Sequence, residues 1–114
     1  FPEVVKSFDN PELHAIATQT LARVYPSRKV LRLEITSEFD IKEQAHVESG
    51  GVITFGTYRY FNVLVAITAF KPNVAEVLLL TIKSRQQPGN KWSQPTISGG
   101  YGSGTQMLIS NLDK

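Results

Sequence analysis

Cysteine is absent from this 114-residue chain. That excludes disulfides, thiolate catalysis and zinc–thiolate sites together. Small secreted domains of this size are commonly stapled by disulfides, so the absence favours an intracellular or bacterial-envelope (periplasmic) setting. No Asn-x-Ser/Thr sequon occurs. No apolar run approaches the roughly 18–20 residues that a membrane-crossing helix needs, so no membrane span is expected. There are only two histidines, His14 and His46. Neither has a second ligand at helical spacing nor an adjacent acid–base partner, so neither reads as a metal ligand or a catalytic base. Charge of one sign is also scarce: 12 basic against 10 acidic residues leave a net charge of +2. Such a balance lacks the electrostatic footprint of a nucleic-acid binder, and no nucleic-acid partner is expected. The chain opens at Phe1 without a methionine, which reads as a mature or trimmed fragment.

What the chain does have is one domain's length and an apolar fraction of 41%, enough for one core. The dominant stretch is residues 52–85. Its two halves are rich in Val, Ile, Leu, Phe, Tyr and Thr and are separated by Lys71-Pro72-Asn73. Those side chains suit a pleated surface and the separator is turn chemistry, so two long paired strands are expected at the centre of an antiparallel sheet. Ile53, Phe55, Phe61, Val63, Val65 and Ile67 share one parity, and Tyr58, Tyr60, Leu64, Ala66 and Phe70 the other. In the next strand Leu78, Leu80 and Ile82 alternate with Val77 and Leu79. A sheet apolar on both faces is covered on both. A helix covers one; the C-terminal segment or a dimer partner is expected on the other. Gly56 reads as a bulge or bend that lets the first long strand curve.

Ahead of that sheet, Asp9 or Asn10 caps a helix, Pro11 suits its first turn and Glu12 closes a capping box with Asp9. Leu13, Ile16, Ala17, Thr20, Leu21 and Val24 then fall on one helical face, and Pro26 ends the run. From Val30 the period changes to two: Leu31, Leu33, Ile35, Phe39 and Ile41 oppose Arg32, Glu34, Thr36 and Glu38, with a bend near Ser37. A more polar strand over 41–48 ends at a Gly50-Gly51 turn. Pro88-Gly89 suits a type II turn, Trp92 and Ile97 are isolated anchors, and a last strand is expected near Met107. The fold class is therefore α+β: one N-terminal amphipathic helix on a curved antiparallel sheet of about four to six strands.

Chemistry-bearing motifs are few. Residues 99–104 read G-G-Y-G-S-G, but the run lacks a P-loop lysine and leads into a strand, so it reads as a surface loop. Glu34, Glu38, Asp40, Glu43 and Glu48 read as solvated strand carboxylates. Tyr58, Tyr60 and Phe70 with Arg59 read as core packing in preference to a base-stacking platform. No catalytic group, no cofactor and no metal is expected.

Three segments carry a family likeness. N-P-E-L at 10–13, followed by Ala17, Leu21-Ala22 and Tyr25, resembles the helix of plant-type cystatins. F-G-T-Y-R-Y at 55–60 resembles the run that follows their first inhibitory loop, and P-G-N-K-W at 88–92 lies where their second loop carries Pro-Trp. The resemblance implies a helix wrapped by antiparallel strands, with hairpin loops forming a wedge that plugs a papain-like active site. It would put Gly56, Pro88 and Trp92 at the wedge. The same shape is similar to NTF2-like and periplasmic lipoprotein domains, which bind partners or small molecules. The first expectation is a non-enzymatic protein-binding or assembly module, with a second copy of the chain among its partners. Its contact residues would be Gly56, Tyr58, Tyr60, Pro88, Gly89 and Trp92. The alternatives are a cystatin-type protease inhibitor and an NTF2-like domain with a ligand cavity lined by Ile16, Leu21 and the inner strand face.

Overall fold

The computed structural model describes residues 7–101 and 106–112. Helix α1 (Pro11–Val24) opens on Asn10, whose Oδ1 accepts from the backbone N–H groups of Glu12 at 3.1 Å and Leu13 at 3.2 Å. These are two of the donors that a helix start leaves without partners. With Asn10 as the cap, Glu12 stands one position too early to reach back, so the Asp9–Glu12 box does not form. The helix stops at Tyr25, one residue before Pro26.

Among the described residues seven strands follow: β1 (Val30–Ile35), β2 (Asp40–Val47), β3 (Ile53–Thr68), β4 (Val74–Gln87), β5 (Lys91–Trp92), β6 (Thr96–Tyr101) and β7 (Gln106–Leu108). They form one curved antiparallel sheet with the helix on one side, the α+β arrangement expected. The β3–β4 hairpin is its spine, in unbroken register from Tyr58↔Arg85 to Thr68↔Ala75. Strands β1 and β2 lie end to end along the outer edge of β3, while β5, β6 and β7 share the outer edge of β4. Asn73, at φ 64°, closes the β3–β4 turn. Gly50 and Gly51, at φ 89° and 79°, close the β2–β3 turn in a region that side chains with a Cβ rarely enter.

Alternation places Phe61, Val63, Val65 and Ile67 of β3 on the face beneath α1, opposite Leu78, Leu80 and Ile82 of β4. Leu13, Ala17 and Leu21 of α1 close that core and are at most 1% exposed. Each leucine so buried contributes roughly 1.5–3 kcal/mol. Val24, at the end of the expected stripe, is 39% exposed.

The reverse face holds a smaller core of Ala66, Ala75, Val77 and Leu112, flanked by Leu31, Leu64, Met107 and Ile109. The C-terminal segment is thus what covers it, as one of the two expected candidates. Leu31 does not share the face of Leu33. The β1–β3 register slips between Val30 and Arg32, and this bulge turns Leu31 to the reverse side.

Four further expectations change. Gly56 is not a bulge, since the β2–β3 register runs through Gln44↔Gly56 without a break. Its backbone instead lies under Tyr58 and Arg85, where a Cβ would come within 3.0 Å of both side chains. Gly99, Gly100 and Tyr101 are strand residues paired with Thr81, Leu80 and Leu79, because the open edge of β4 supplies a ladder that loop propensity does not outweigh. The rest of that glycine run, and the expected edge strand at Val4 and Val5, lie outside the described residues. The last strand is only Gln106–Leu108 and passes into a 3-10 turn over Ile109–Asn111. Ile41, expected on the buried parity, is 60% exposed, because β2 runs past the end of the helix-covered core.

Candidate functional site

Past Tyr58 the β2–β3 ribbon has no β4 beside it and extends as a two-stranded arm. Its two faces differ in kind. Register places Ile41, Ala45 and Val47 of β2 with Ile53 and Phe55 of β3 on the side that, further along β3, carries Phe61 and the main core; the Glu43–Thr57 pair on the same side separates Ile41 from the apolar tip. Among the described residues no helix covers them: Val47, Phe55, Ile41 and Ile53 are 69, 67, 60 and 58% exposed. Lys42, Gln44, His46 and Thr54 occupy the opposite, polar side. Every residue of β2 is exposed, and among the described residues nothing pairs with its outer edge.

At the root of the arm the polar side carries a tyrosine–cation cluster. Lys83 Nζ stands 4.1 Å from the Tyr58 ring centre and Arg85 lies 5.8 Å from the same ring. Lys42 Nζ is 5.6 Å from the Tyr60 ring, and the Tyr60 hydroxyl donates to Asp40 at 2.9 Å. Hydrogen bonding to Tyr60, then the charges of Tyr60 and Asp40, hold the Lys42 ammonium above its ordinary range. Both tyrosines are only half-buried. The expectation of core packing is therefore corrected: they form the floor of a basic surface. Phe70 is not part of it. It lies at the far hairpin turn, 94% exposed, with Arg28 5.4 Å above its ring.

The helix side of the same root holds a different arrangement. Arg59 is clamped between two rings, with its guanidinium carbon 4.3 Å from the Phe39 centre and 4.6 Å from that of Trp92. Its Nε is sealed from solvent without a hydrogen-bond partner among the described residues. Burial pulls the guanidinium below its ordinary range, and the charge of Glu12 acts the other way. Beside the clamp lies a cavity of about 310 Å³ between α1 and residues 92–95.

The six residues expected to make contact are thus divided. Gly56, Tyr58 and Tyr60 share the polar face, Trp92 lies on the helix face, and Pro88 and Gly89 occupy the exposed β4–β5 turn, with Gly89 at φ 83°. The ligand cavity expected around Ile16 and Leu21 is also displaced. Ile16 lines the cavity found, but Leu21 is 1% exposed and packed in the main core. Sequence reasoning passed over Phe39, Arg59 as a clamped cation, and the apolar arm face. The arm was legible as odd-parity apolar residues on both sides of Gly50-Gly51; the clamp had no local signal.

Searches against known protein families, curated proteins and solved structures find no match to this chain. Among the described residues no three histidine or acidic side chains gather as a metal site would require, and no helix is long and apolar enough to cross a membrane.

Proposed function

We propose that the protein is a non-enzymatic binding module that associates with a second copy of itself through its β2–β3 arm. One observation carries this reading. The arm is a ribbon whose tip, Ala45, Val47, Ile53 and Phe55, continues the parity of the main core as an apolar face and lies uncovered among the described residues. An isolated two-stranded ribbon is marginal in water, and contiguous exposed apolar surface of this kind marks contact sites. The unpaired outer edge of β2 adds a row of backbone donors and acceptors that a two-fold related arm satisfies. Sedimentation of the purified chain up to hundreds of micromolar tests it. Self-association that Phe55→Arg abolishes, with the circular dichroism unchanged, is the expected result. A chain that stays monomeric throughout removes the self-association.

A second reading, the cystatin-type inhibitor of papain-like proteases, is favoured by one feature. The turns at 48–52 and 88–90 leave the same end of the sheet, as a two-loop wedge requires. Trp92 stands against Arg59 and not at the tip of its turn, so the wedge would have to be made by Pro88 and Gly89. Stoichiometric inhibition of papain supports this reading, and its absence at micromolar concentration rules it out.

A further inference from the structure

The cavity beside Arg59 has a composition that selects its occupant. Two arginines reach it, Arg59 from β3 and Arg23 from the last turn of α1, and no carboxylate lines it. One Nη of Arg23 already donates to the Pro95 carbonyl, which leaves its other guanidinium N–H groups to donate. Among the described residues Arg59 makes no ion pair, and Glu12 acts on it only from beyond contact distance. The neutral polar groups add donors. Ser93 Oγ already accepts from the Arg85 N–H at 2.8 Å, which leaves its proton to donate, and the amides of Gln19 and Gln94 each bring an NH₂. The Thr20 hydroxyl is spent on the Ile16 carbonyl at 2.7 Å. Ile16, Trp92 and Pro95 supply the apolar part of the wall.

A clamped arginine is a costly object. Its guanidinium carbon is held close to both the Phe39 and Trp92 rings, and burial leaves its Nε without a partner among the described residues. A lysine or a solvated arginine would avoid that cost, and the arrangement places a planar cation at a cavity wall. Planar guanidinium donors match carboxylates in two-pronged fashion. The cavity volume, about 310 Å³, corresponds to roughly ten waters and stands at the small end of ligand sites. It exceeds what an inorganic anion fills.

We propose that the cleft between α1 and residues 92–95 is a binding site for a small organic carboxylate. Its carboxylate meets Arg59 and Arg23, and its hydrocarbon body lies against Ile16, Trp92 and Pro95.

Trp92 is the only tryptophan of the chain, so its emission reports on this cleft alone. The experiment is a fluorescence titration of the full chain with hexanoate, with the neutral isostere hexanamide and with inorganic phosphate. Saturable change with hexanoate is expected, with hexanamide and phosphate each roughly ten- to hundredfold weaker, as a lost charged hydrogen bond implies. Arg23→Gln removes both a charge and the bond to the Pro95 carbonyl; it weakens hexanoate by a similar factor and leaves hexanamide as weak as with the wild type, whereas loss of the Pro95 bond alone would weaken both equally. Phe55→Arg on the arm leaves hexanoate binding unchanged. Equal binding of hexanoate and hexanamide overturns the proposal, as does phosphate equalling hexanoate, or no saturable change with any of the three.

Discussion

The Arg59 clamp makes an energetic prediction that a contact inventory would miss. Replacing Arg59 with Met removes two ring contacts at 4.3 and 4.6 Å. Such contacts contribute about 0.5–1 kcal/mol when exposed and about 2 kcal/mol when desolvated. The same replacement also releases a buried donor without a partner, whose burial costs roughly 1–3 kcal/mol. Methionine keeps the stem's apolar contacts and adds a sulfur–aromatic one. The two sides nearly cancel, so Arg59→Met changes stability by no more than about 1 kcal/mol in either direction. The stack itself is isolated by a double-mutant cycle with Trp92→Leu. Half-burial of the cation puts the expected coupling at about 1–2 kcal/mol, well above the roughly 0.5 kcal/mol scatter of additive pairs. Urea unfolding of the wild type, both single variants and the double variant measures it, against a total stability of about 5–15 kcal/mol. Coupling inside the additive scatter would refute the claim that the rings hold the cation. A loss above about 3 kcal/mol for Arg59→Met alone would show that Nε has a partner in solution, and the cancellation would fail.

Further predictions separate core from surface. Phe61→Ala, at a side chain 1% exposed and edge-on to Phe39 with ring centres 5.4 Å apart, costs about 3–5 kcal/mol in chemical denaturation. Phe55→Ser, at an aromatic on the same parity of the same strand but 67% exposed, changes monomer stability by less than about 0.5 kcal/mol while lowering self-association in sedimentation. Asn10→Ala removes the acceptor of two backbone bonds and lowers stability by about 1 kcal/mol, whereas Asn10→Asp retains it; thermal melts compare the two. Gly51→Ala meets no atom within 4 Å yet costs about 1 kcal/mol, because its φ of 79° and not space is the constraint; unfolding midpoints read this directly.

How much of the molecule could be read in advance follows from the range of each interaction. The Leu13–Leu21 face, the cap before Pro11, the Lys71–Asn73 turn and the two parities of Ile53–Ile67 are local patterns. Helix and strand periods decide them within a few residues of chain, and the structure keeps them. Leu31 escaped because a bulge changes its face with no residue to signal it. Gly99–Tyr101 escaped because glycine's freedom is consistent with a loop until a neighbouring strand edge fixes it.

Residue chemistry alone therefore determined that this chain is one amphipathic helix with long two-faced strands, carrying no thiol chemistry and little net charge. Its tertiary structure decided which apolar residues are core. Phe61 and Phe55 have the same parity in one strand, but Phe61 pairs with Ile82 of β4 inside the helix-covered core, whereas Phe55 lies beyond the last β3–β4 pair. Tertiary structure also decided that Phe39, Arg59 and Trp92 meet. Their stacking depends on the β3–β4 register and on the short β4–β5 hairpin, and no spacing along the chain encodes a contact between the β1–β2 connection, the middle of β3 and the end of β5.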